Sequence, residues 1–304
     1  MSKVVRIGTR KSALALIQTQ LVAEELKQAC PGLEIEVVTK DTLGDRILDR
    51  PLQEFGGKGV FVSEFEQAIK AGTIDLAVHS AKDLPMELAP GLCIAAVSHR
   101  EDPRDVLVTM KGAMETGKEI IGIGTSSPRR QLEAMENHEI LWPGSKGVQC
   151  GILRGNVHTR LKRLEEGSFD GIILAAAGLK RLDLLGHDGY DFRFLRPDLF
   201  IPAGGQGLMA VEAREGSEAA ALCQAMDHRE GRLCLTLERA VLQLLDAGCH
   251  EPVGIFSQLS GERMKVWGIS RKNNITKRAC LEGGITPPGD TANGGTGRKG
   301  AWLI

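Results

Sequence analysis

The chain has no pair of cysteines in Cys-x-x-Cys spacing, although its 304 residues include seven cysteines, at positions 30, 93, 150, 223, 234, 249 and 280. A spelled-out zinc knuckle or dithiol redox motif is therefore excluded, and most of the thiols read as small buried hydrophobes in a reducing compartment. No run approaches the roughly 18 to 20 uncharged apolar residues of a membrane span. The start, Met1-Ser2-Lys3-Val4-Val5-Arg6, lacks an apolar signal core, and a cytoplasmic location is expected. Neither sign of charge dominates. With 38 basic and 39 acidic side chains the formal charge is −1, so nothing pulls the whole molecule towards nucleic acid or an anionic membrane. Aromatic residues are scarce at 4%, and none interleaves with the basic Arg154, Arg160, Lys162, Arg163, Lys180 and Arg181. That pattern excludes a base-stacking platform, and no nucleic-acid partner is expected. Also missing are a Gly-x-x-x-x-Gly-Lys-Ser/Thr phosphate loop, a His-Glu-x-x-His zinc helix and a Gly-x-Ser-x-Gly nucleophile turn. Gly122-Ile123-Gly124-Thr125-Ser126-Ser127 lacks the third small residue of the dinucleotide fingerprint. ATP, NAD and a metal site are not expected.

What is present is an alternation of short apolar runs with helical patterns, the mark of α/β layers. Strands are expected at Val4 to Gly8, Ile35 to Val38, Ile74 to Val78, Ile120 to Ile123 and Gly171 to Leu174. A helix from about Ser12 should bury Leu14, Ile17 and Leu21, and Ser63 with Glu66 reads as a capping box opening a second helix. Pro128 fits a first helical position with Ser127 as its cap, and Asn156 should cap the basic helix Val157 to Leu164. Ile7-Gly8-Thr9 and Ile123-Gly124-Thr125 both close a strand and open an arginine-bearing helix, which suggests two similar lobes with a cleft between. A third segment begins near Arg229 with a helix, Leu233 to Leu245, then strand-like runs at Val253 to Phe256 and Val266 to Ile269. The final stretch, 285–304, has five glycines and two prolines without periodicity and reads as a poorly ordered tail.

Cations and hydroxyls cluster at the strand-to-helix turns: Arg10 and Ser12; Thr125, Ser126, Ser127, Arg129 and Arg130; Arg154, Asn156 and Arg160. Helix N-termini offer unpaired N–H groups and partial positive charge, and arginine adds a planar fork matched to carboxylates. Several such turns around one cleft suit a ligand with several carboxylates; the plainer alternative is a set of solvated helix faces. Asp83 ends an apolar strand beside Lys82, where α/β sheets place working groups. It can act as a general acid/base or as counter-charge to a cation, yet on these grounds alone a cap or an ion pair with Lys82 is favoured. Cys249, in Asp246-Ala247-Gly248-Cys249-His250-Glu251-Pro252, lies on a turn where a free thiol is expected to be exposed. A nucleophile and a covalent anchor both remain open for it, and His250 is assigned no role.

Eight segments resemble the porphobilinogen deaminase (hydroxymethylbilane synthase) family: Gly8-Thr9-Arg10-Lys11-Ser12, Gly56-Gly57-Lys58-Gly59-Val60-Phe61, His79-Ser80-Ala81-Lys82-Asp83-Leu84-Pro85, Arg100-Glu101-Asp102-Pro103-Arg104-Asp105, Gly124-Thr125-Ser126-Ser127-Pro128-Arg129-Arg130, Leu153-Arg154-Gly155-Asn156, Pro202-Ala203-Gly204-Gly205-Gln206-Gly207 and Gly248-Cys249-His250-Glu251-Pro252-Val253-Gly254. They follow the family's order from Val4 to about Ile269. The resemblance implies an α/β fold of two periplasmic-binding-protein-like lobes plus a small α+β C-terminal domain. Its expected bounds are 1–100 with 207–226, then 104–202, then 229–284. It implies a transferase that condenses four porphobilinogen units, with loss of ammonia, onto a dipyrromethane cofactor held through Cys249, and then releases hydroxymethylbilane by hydrolysis for tetrapyrrole (heme) biosynthesis. By position, Asp83 is implied as the catalytic carboxylate beside the cationic azafulvene. Arg10, Ser12, Lys58, Phe61, Ser80, Lys82, Thr125, Ser126, Ser127, Arg129, Arg130, Arg154, Asn156, Arg160, Ala175, Gly178 and Gln206 are implied as cofactor or substrate contacts. The segment from about Gly44 to Lys58 matches a mobile loop. A monomer is expected. The stretch from Leu141 to Val148 is longer than the family's, Asp246-Ala247 replaces its usual residues, and no terminal helix follows Cys280, so the third domain's sheet should be partly uncovered. The alternative is a non-catalytic two-lobed polycarboxylate-binding or ligand-sensing protein, which needs neither Asp83 nor Cys249.

Overall fold

The computed structural model describes residues 4–40, 62–246 and 251–284. The first sheet contains β1 (Val4–Arg10), β2 (Glu34–Lys40), β3 (Leu76–Ser80), β4 (Leu92–Val97) and, returning much later in the chain, β10 (Met209–Arg214). Its order is β2-β1-β3-β10-β4, with β2, β1 and β3 parallel and β10 antiparallel to both of its neighbours. The second sheet contains β5 (Asp105–Met110), β6 (Ile120–Gly124), β7 (Gly147–Gly151), β8 (Gly171–Ala175) and β9 (Tyr190–Phe194), in the order β7-β6-β8-β5-β9. There β7, β6 and β8 are parallel and β5 is antiparallel to β8 and β9. The two sheets thus share one plan, β1 answering to β6 and β3 to β8. The echo between Ile7-Gly8-Thr9 and Ile123-Gly124-Thr125 marks these equivalent strands. At each, glycine is required by close packing: a Cβ on Gly8 would collide with Ile74, and one on Gly124 would lie 2.8 Å from the Phe169 ring.

The apolar runs form strands because both faces of these sheets are covered. In the second lobe Val106, Val108, Ile172 and Leu174 face one core, while Leu107, Ile173, Ile121 and Ile123 face the other, as a period of two demands. The helices that cover them start where short polar side chains can cap. Ser12 Oγ accepts from Ala15 N at the head of α1 (Ala13–Ala29), with α2 (Ser63–Lys70) following. In the second lobe, Ser127 Oγ accepts from Arg130 N as the cap of α3 (Pro128–Glu136), with Pro128 at its first position. The short α4 (His138–Leu141) follows, and Asn156 Oδ1 accepts from Thr159 N to cap α5 (Val157–Glu165). These caps are as the sequence predicts.

Two local expectations are corrected. Ser63 is not a cap: α2 begins at Ser63 itself, its Oγ bonds Glu64, and Glu66 instead accepts from Ala89 N at 2.8 Å. A tertiary partner has displaced the capping box. In α1 the buried face is Gln18, Thr19, Val22, Ala23 and Leu26, whereas Leu21 is exposed. Leu14 is only half-buried and faces α6 (Ala176–Arg181), the helix after β8, with Gly178 leaving it room.

After α7 (Glu218–Cys223), the C-terminal domain is α8 (Arg229–Leu244) on an antiparallel meander of β11 (Val253–Ser260), β12 (Arg263–Lys272) and β13 (Ile275–Gly284). The last strand has no forecast in the sequence reading; it is exposed along nearly its whole length, so no hydrophobic alternation announces it. Phe256 and Ile269 join Leu132 and Ile201 in one cluster, which seats this domain on the second lobe. Among the described residues no helix is long and apolar enough to cross a membrane.

Candidate active site

The parallel strands of both sheets end on turns that carry polar groups, the place where α/β sheets hold ligands. β3 runs directly into a single 3-10 turn, Ala81–Asp83, stopped by Leu84 and Pro85. Ala81 is buried, which anchors the turn and leaves Asp83 exposed. Ser80, just before it, exchanges hydrogen bonds with the amide of Gln18 at 3.0 and 3.3 Å. Gln18 reaches across from α1, and no motif of the sequence pointed to it.

Five cations are coupled electrostatically around the Asp83 turn, Lys82, Arg130 and Arg160 with Asp83 itself and Arg10 and Arg154 through Arg160. Lys82 and Arg10 come from the first lobe, and Arg130, Arg154 and Arg160 from the second. Burial and the field of Arg130 lower the Lys82 ammonium to about 8, although Asp83 and Asp105 oppose the shift. Burial, Arg130, Arg154 and Arg10 lower Arg160 to about 10, with Asp83 opposing. Burial is the largest cause, and three guanidiniums against one carboxylate add an excess of positive charge to it. That excess lies where the two lobes meet, since Arg160 on α5 senses both Arg10 and Asp83. The described residues form a cationic cleft in which the Asp83 carboxylate is exposed.

Beneath it sits a further carboxylate, one that no local pattern in the sequence singles out. Asp105, the first residue of β5, is fully buried. Its Oδ2 accepts from Arg129 Nη1 at 2.7 Å, and its Oδ1 accepts from Arg130 Nη2 at 2.7 Å and Nε at 3.0 Å. Burial pushes the Asp105 carboxyl up, but the two guanidiniums overcome this and hold it well below the usual carboxylate range. Arg129 is therefore placed differently from the expected ligand contact. It is 3% exposed, its Nη1 also donates to Ile201 O at 2.8 Å, and Gly254 of the C-terminal domain packs on its Cδ. Arg130 Nη1 donates to Ile173 O at 2.8 Å, so this side chain offers the cleft its field more than its hydrogen bonds.

Gln206 lies in the crossing from the second lobe back to β10 and is 1% exposed. Its Nε2 donates to Pro103 O at 2.8 Å and Asp105 Oδ1 at 3.1 Å, and its Oε1 accepts from Lys82 Nζ at 3.2 Å. One amide thus ties the Lys82 turn of the first lobe to β5 of the second. The other named residues have local work. Ser126 Oγ donates to Leu153 O and accepts from Leu153 N, pinning the turn before Arg154. Thr125 is buried, and its Oγ1 accepts from Ser127 N. Ser12, Ser127 and Asn156 cap helices, Ala175 precedes α6, and Gly178 is at the α1–α6 contact between lobes. Lys58, Phe61, Cys249, the 44–58 loop and the 285–304 tail lie outside the described residues.

Two family models match the chain. The first, "Porphobilinogen deaminase, dipyromethane cofactor binding domain", covers residues 5–221, and the second, "Porphobilinogen deaminase, C-terminal domain", covers 232–291. Curated relatives agree. A porphobilinogen deaminase from Roseiflexus sp. (strain RS-1) is 45% identical over 296 residues, 95% of this chain and 93% of that one. Those of Alkaliphilus metalliredigens (41% identical, 88% and 82% covered) and Ruminiclostridium josui (38%, 94% and 94%) extend the similarity.

Proposed function

The chain belongs to the porphobilinogen deaminase family, and from that premise we propose which of its residues carry the reaction. It is a transferase of tetrapyrrole biosynthesis that takes porphobilinogen as its small-molecule substrate and has a dipyrromethane-binding domain. Family membership decides against the non-catalytic polycarboxylate-binding alternative.

The residues fit the cofactor. Every pyrrole unit carries an acetate and a propionate, and among the described residues the cleft gathers Arg10, Arg154, Arg160 and Lys82 near the exposed Asp83 turn. Burial and neighbouring cations both depress Arg160 and Lys82, and the carboxylates of dianionic rings would favour the charged forms of these side chains. When bound, the dipyrromethane supplies the pyrrole carbon on which the product chain is built. We assign its attachment to Cys249, the thiol in the Gly248-Cys249-His250 turn.

Asp83 is the catalytic carboxylate. Loss of ammonia from the aminomethyl group of porphobilinogen leaves a positive charge spread over the substrate pyrrole. Asp83, exposed at the end of its 3-10 turn, offers a negative charge to that ring's N–H, while Lys82 and Arg160 hold its acidic arms. Opposite unit charges about 4 Å apart attract by about 4 kcal/mol at an effective dielectric of about 20. Felt only as the cation forms, this is worth about a thousandfold in rate. The neighbouring cations repel the same intermediate, so none of them can replace Asp83. The domain bounds 1–100 with 207–226, 104–202 and 229–284, a monomeric state and a cytoplasmic location complete the reading.

The single observation that carries it is the exposed Asp83 turn inside a cleft of excess positive charge. Asp83→Asn preserves size and should fold, yet lose about a thousandfold in turnover of porphobilinogen. Near-normal product formation by that variant removes Asp83 from the chemistry.

A further inference from the structure

Glu238 belongs to none of the eight motifs and lies on α8, in the same C-terminal segment as Cys249. Its carboxylate is fully buried and takes four donors. Arg100 Nη2 donates at 2.8 Å, Gly205 N at 2.7 Å, and Ser257 through both N and Oγ at 2.7 Å. These donors come from separate parts of the molecule. Arg100 is in the outgoing crossing after β4, Gly205 is in the returning crossing before β10, and Ser257 is on β11. A carboxylate accepts about four such bonds, so Glu238 is saturated.

The constraint passes on towards the cleft by two routes. Arg100 Nη1 donates to Gln206 O at 2.9 Å, and Gln206 in turn holds Lys82 and Asp105. Gly205, at φ +77°, packs so tightly that an added Cβ would lie 3.0 Å from Lys82 N and 3.1 Å from Ala81 C. Both routes end on the turn that carries Asp83.

We propose that Glu238 is a positioning residue for the condensation, fixing the C-terminal domain against the 203–207 crossing. Through Gln206 and Gly205 it holds the Asp83 turn and the Asp105–Arg130 pair in register with the C-terminal domain. This rests on the functional reading above. Reacting atoms must meet at about 3 to 3.5 Å, and a misplacement of about 1 Å costs on the order of a hundredfold. Glu238 bonds directly to the C-terminal strand and to both crossings, and through Arg100 and Gln206 it reaches Lys82 and Asp105. Replacing its charge with an amide leaves an N–H₂ group facing N–H donors, which loosens the crossing without emptying the core.

The test uses full-length holoenzyme of wild type, Glu238→Gln and Ser257→Ala, with primer loading counted by intact mass and turnover expressed per loaded molecule. For Glu238→Gln the expected result is a kcat at least tenfold down, a KM within about twofold, and faster amide exchange at 203–207 and 253–258. A merely structural role would lower the loaded fraction and leave kcat per loaded molecule intact, and that result overturns the proposal. If Glu238→Gln does not load, Ser257→Ala decides. It removes a single hydroxyl, and a threefold or larger fall in kcat supports the assignment, whereas an unchanged kcat overturns it. Wild-type protein that releases no ammonia from porphobilinogen overturns the functional reading itself, and does so before any variant is compared.

Discussion

Lys82 and Asp83 are adjacent but take opposite parts. Asp83 is exposed and is proposed to face the nascent cation, while Lys82 is turned inwards to Gln206, with its ammonium lowered to about 8. The sign of the linkage follows from that shift. Folded Lys82 binds its proton less tightly than the unfolded side chain, so its charge costs stability below pH about 8, and this cost fades as pH rises from 8 towards the ordinary lysine value. Binding runs the other way, because an uncharged amine cannot hold a carboxylate. KM for porphobilinogen is therefore expected to rise as pH passes about 8, and Lys82→Arg should carry the low-KM plateau to higher pH. A KM flat from pH 7 to 9.5 in the wild type would remove Lys82 from ligand binding. At this scale the sequence was readable: the Asp83 motif names the residue, and its place at a strand end explains the exposure. What it could not show is the pairing. Nothing near Arg129 or Arg130 in the chain hints that Asp105 absorbs both guanidiniums, because that contact is made through tertiary packing between α3 and β5.

Among the elements, the turns at the strand ends were legible because caps are local. Ser127 and Asn156 act through backbone N–H groups three residues on, so spacing alone reveals them. Asn156→Ala should cost about 1 kcal/mol in urea unfolding. It should also raise KM, because α5 carries Arg160 into the cleft, and Asn156→Asp should restore the stability. An unchanged KM would show that Arg160 is held without the cap. The buried face of α1 and the strand β13 were not legible. Gln18 and Thr19 are buried by contacts with distant segments, and β13 carries no apolar alternation. Asp105 at the root of β5 makes a further prediction. Asp105→Asn leaves two buried guanidiniums short of their counter-charge and should destabilise the second lobe by about 3 to 5 kcal/mol. In the wild type the Asp105 carboxyl is held below its unfolded value, so its contribution is complete above about pH 4 and is lost as pH falls further. Equal urea midpoints for wild type and Asp105→Asn at pH 7 would refute this.

On the scale of the whole molecule, two lobes of one topology bring cations from both sides towards Asp83, and a third domain packs on the second lobe. The echo of two tripeptides was enough to suggest the paired lobes, since each glycine is demanded by close side-chain packing in the equivalent strands β1 and β6. The crossing that joins all three bodies was not readable. Glu238, Arg100 and Gln206 lie far apart in the chain and meet only in the fold. Intact-protein mass reports directly whether this protein builds a pyrrole chain on Cys249. Purified protein should be heavier than its sequence by two linked pyrroles, should gain further pyrrole units on incubation with porphobilinogen, and should lose all excess mass in Cys249→Ser. Protein of unmodified mass that still makes hydroxymethylbilane would contradict the assignment to Cys249.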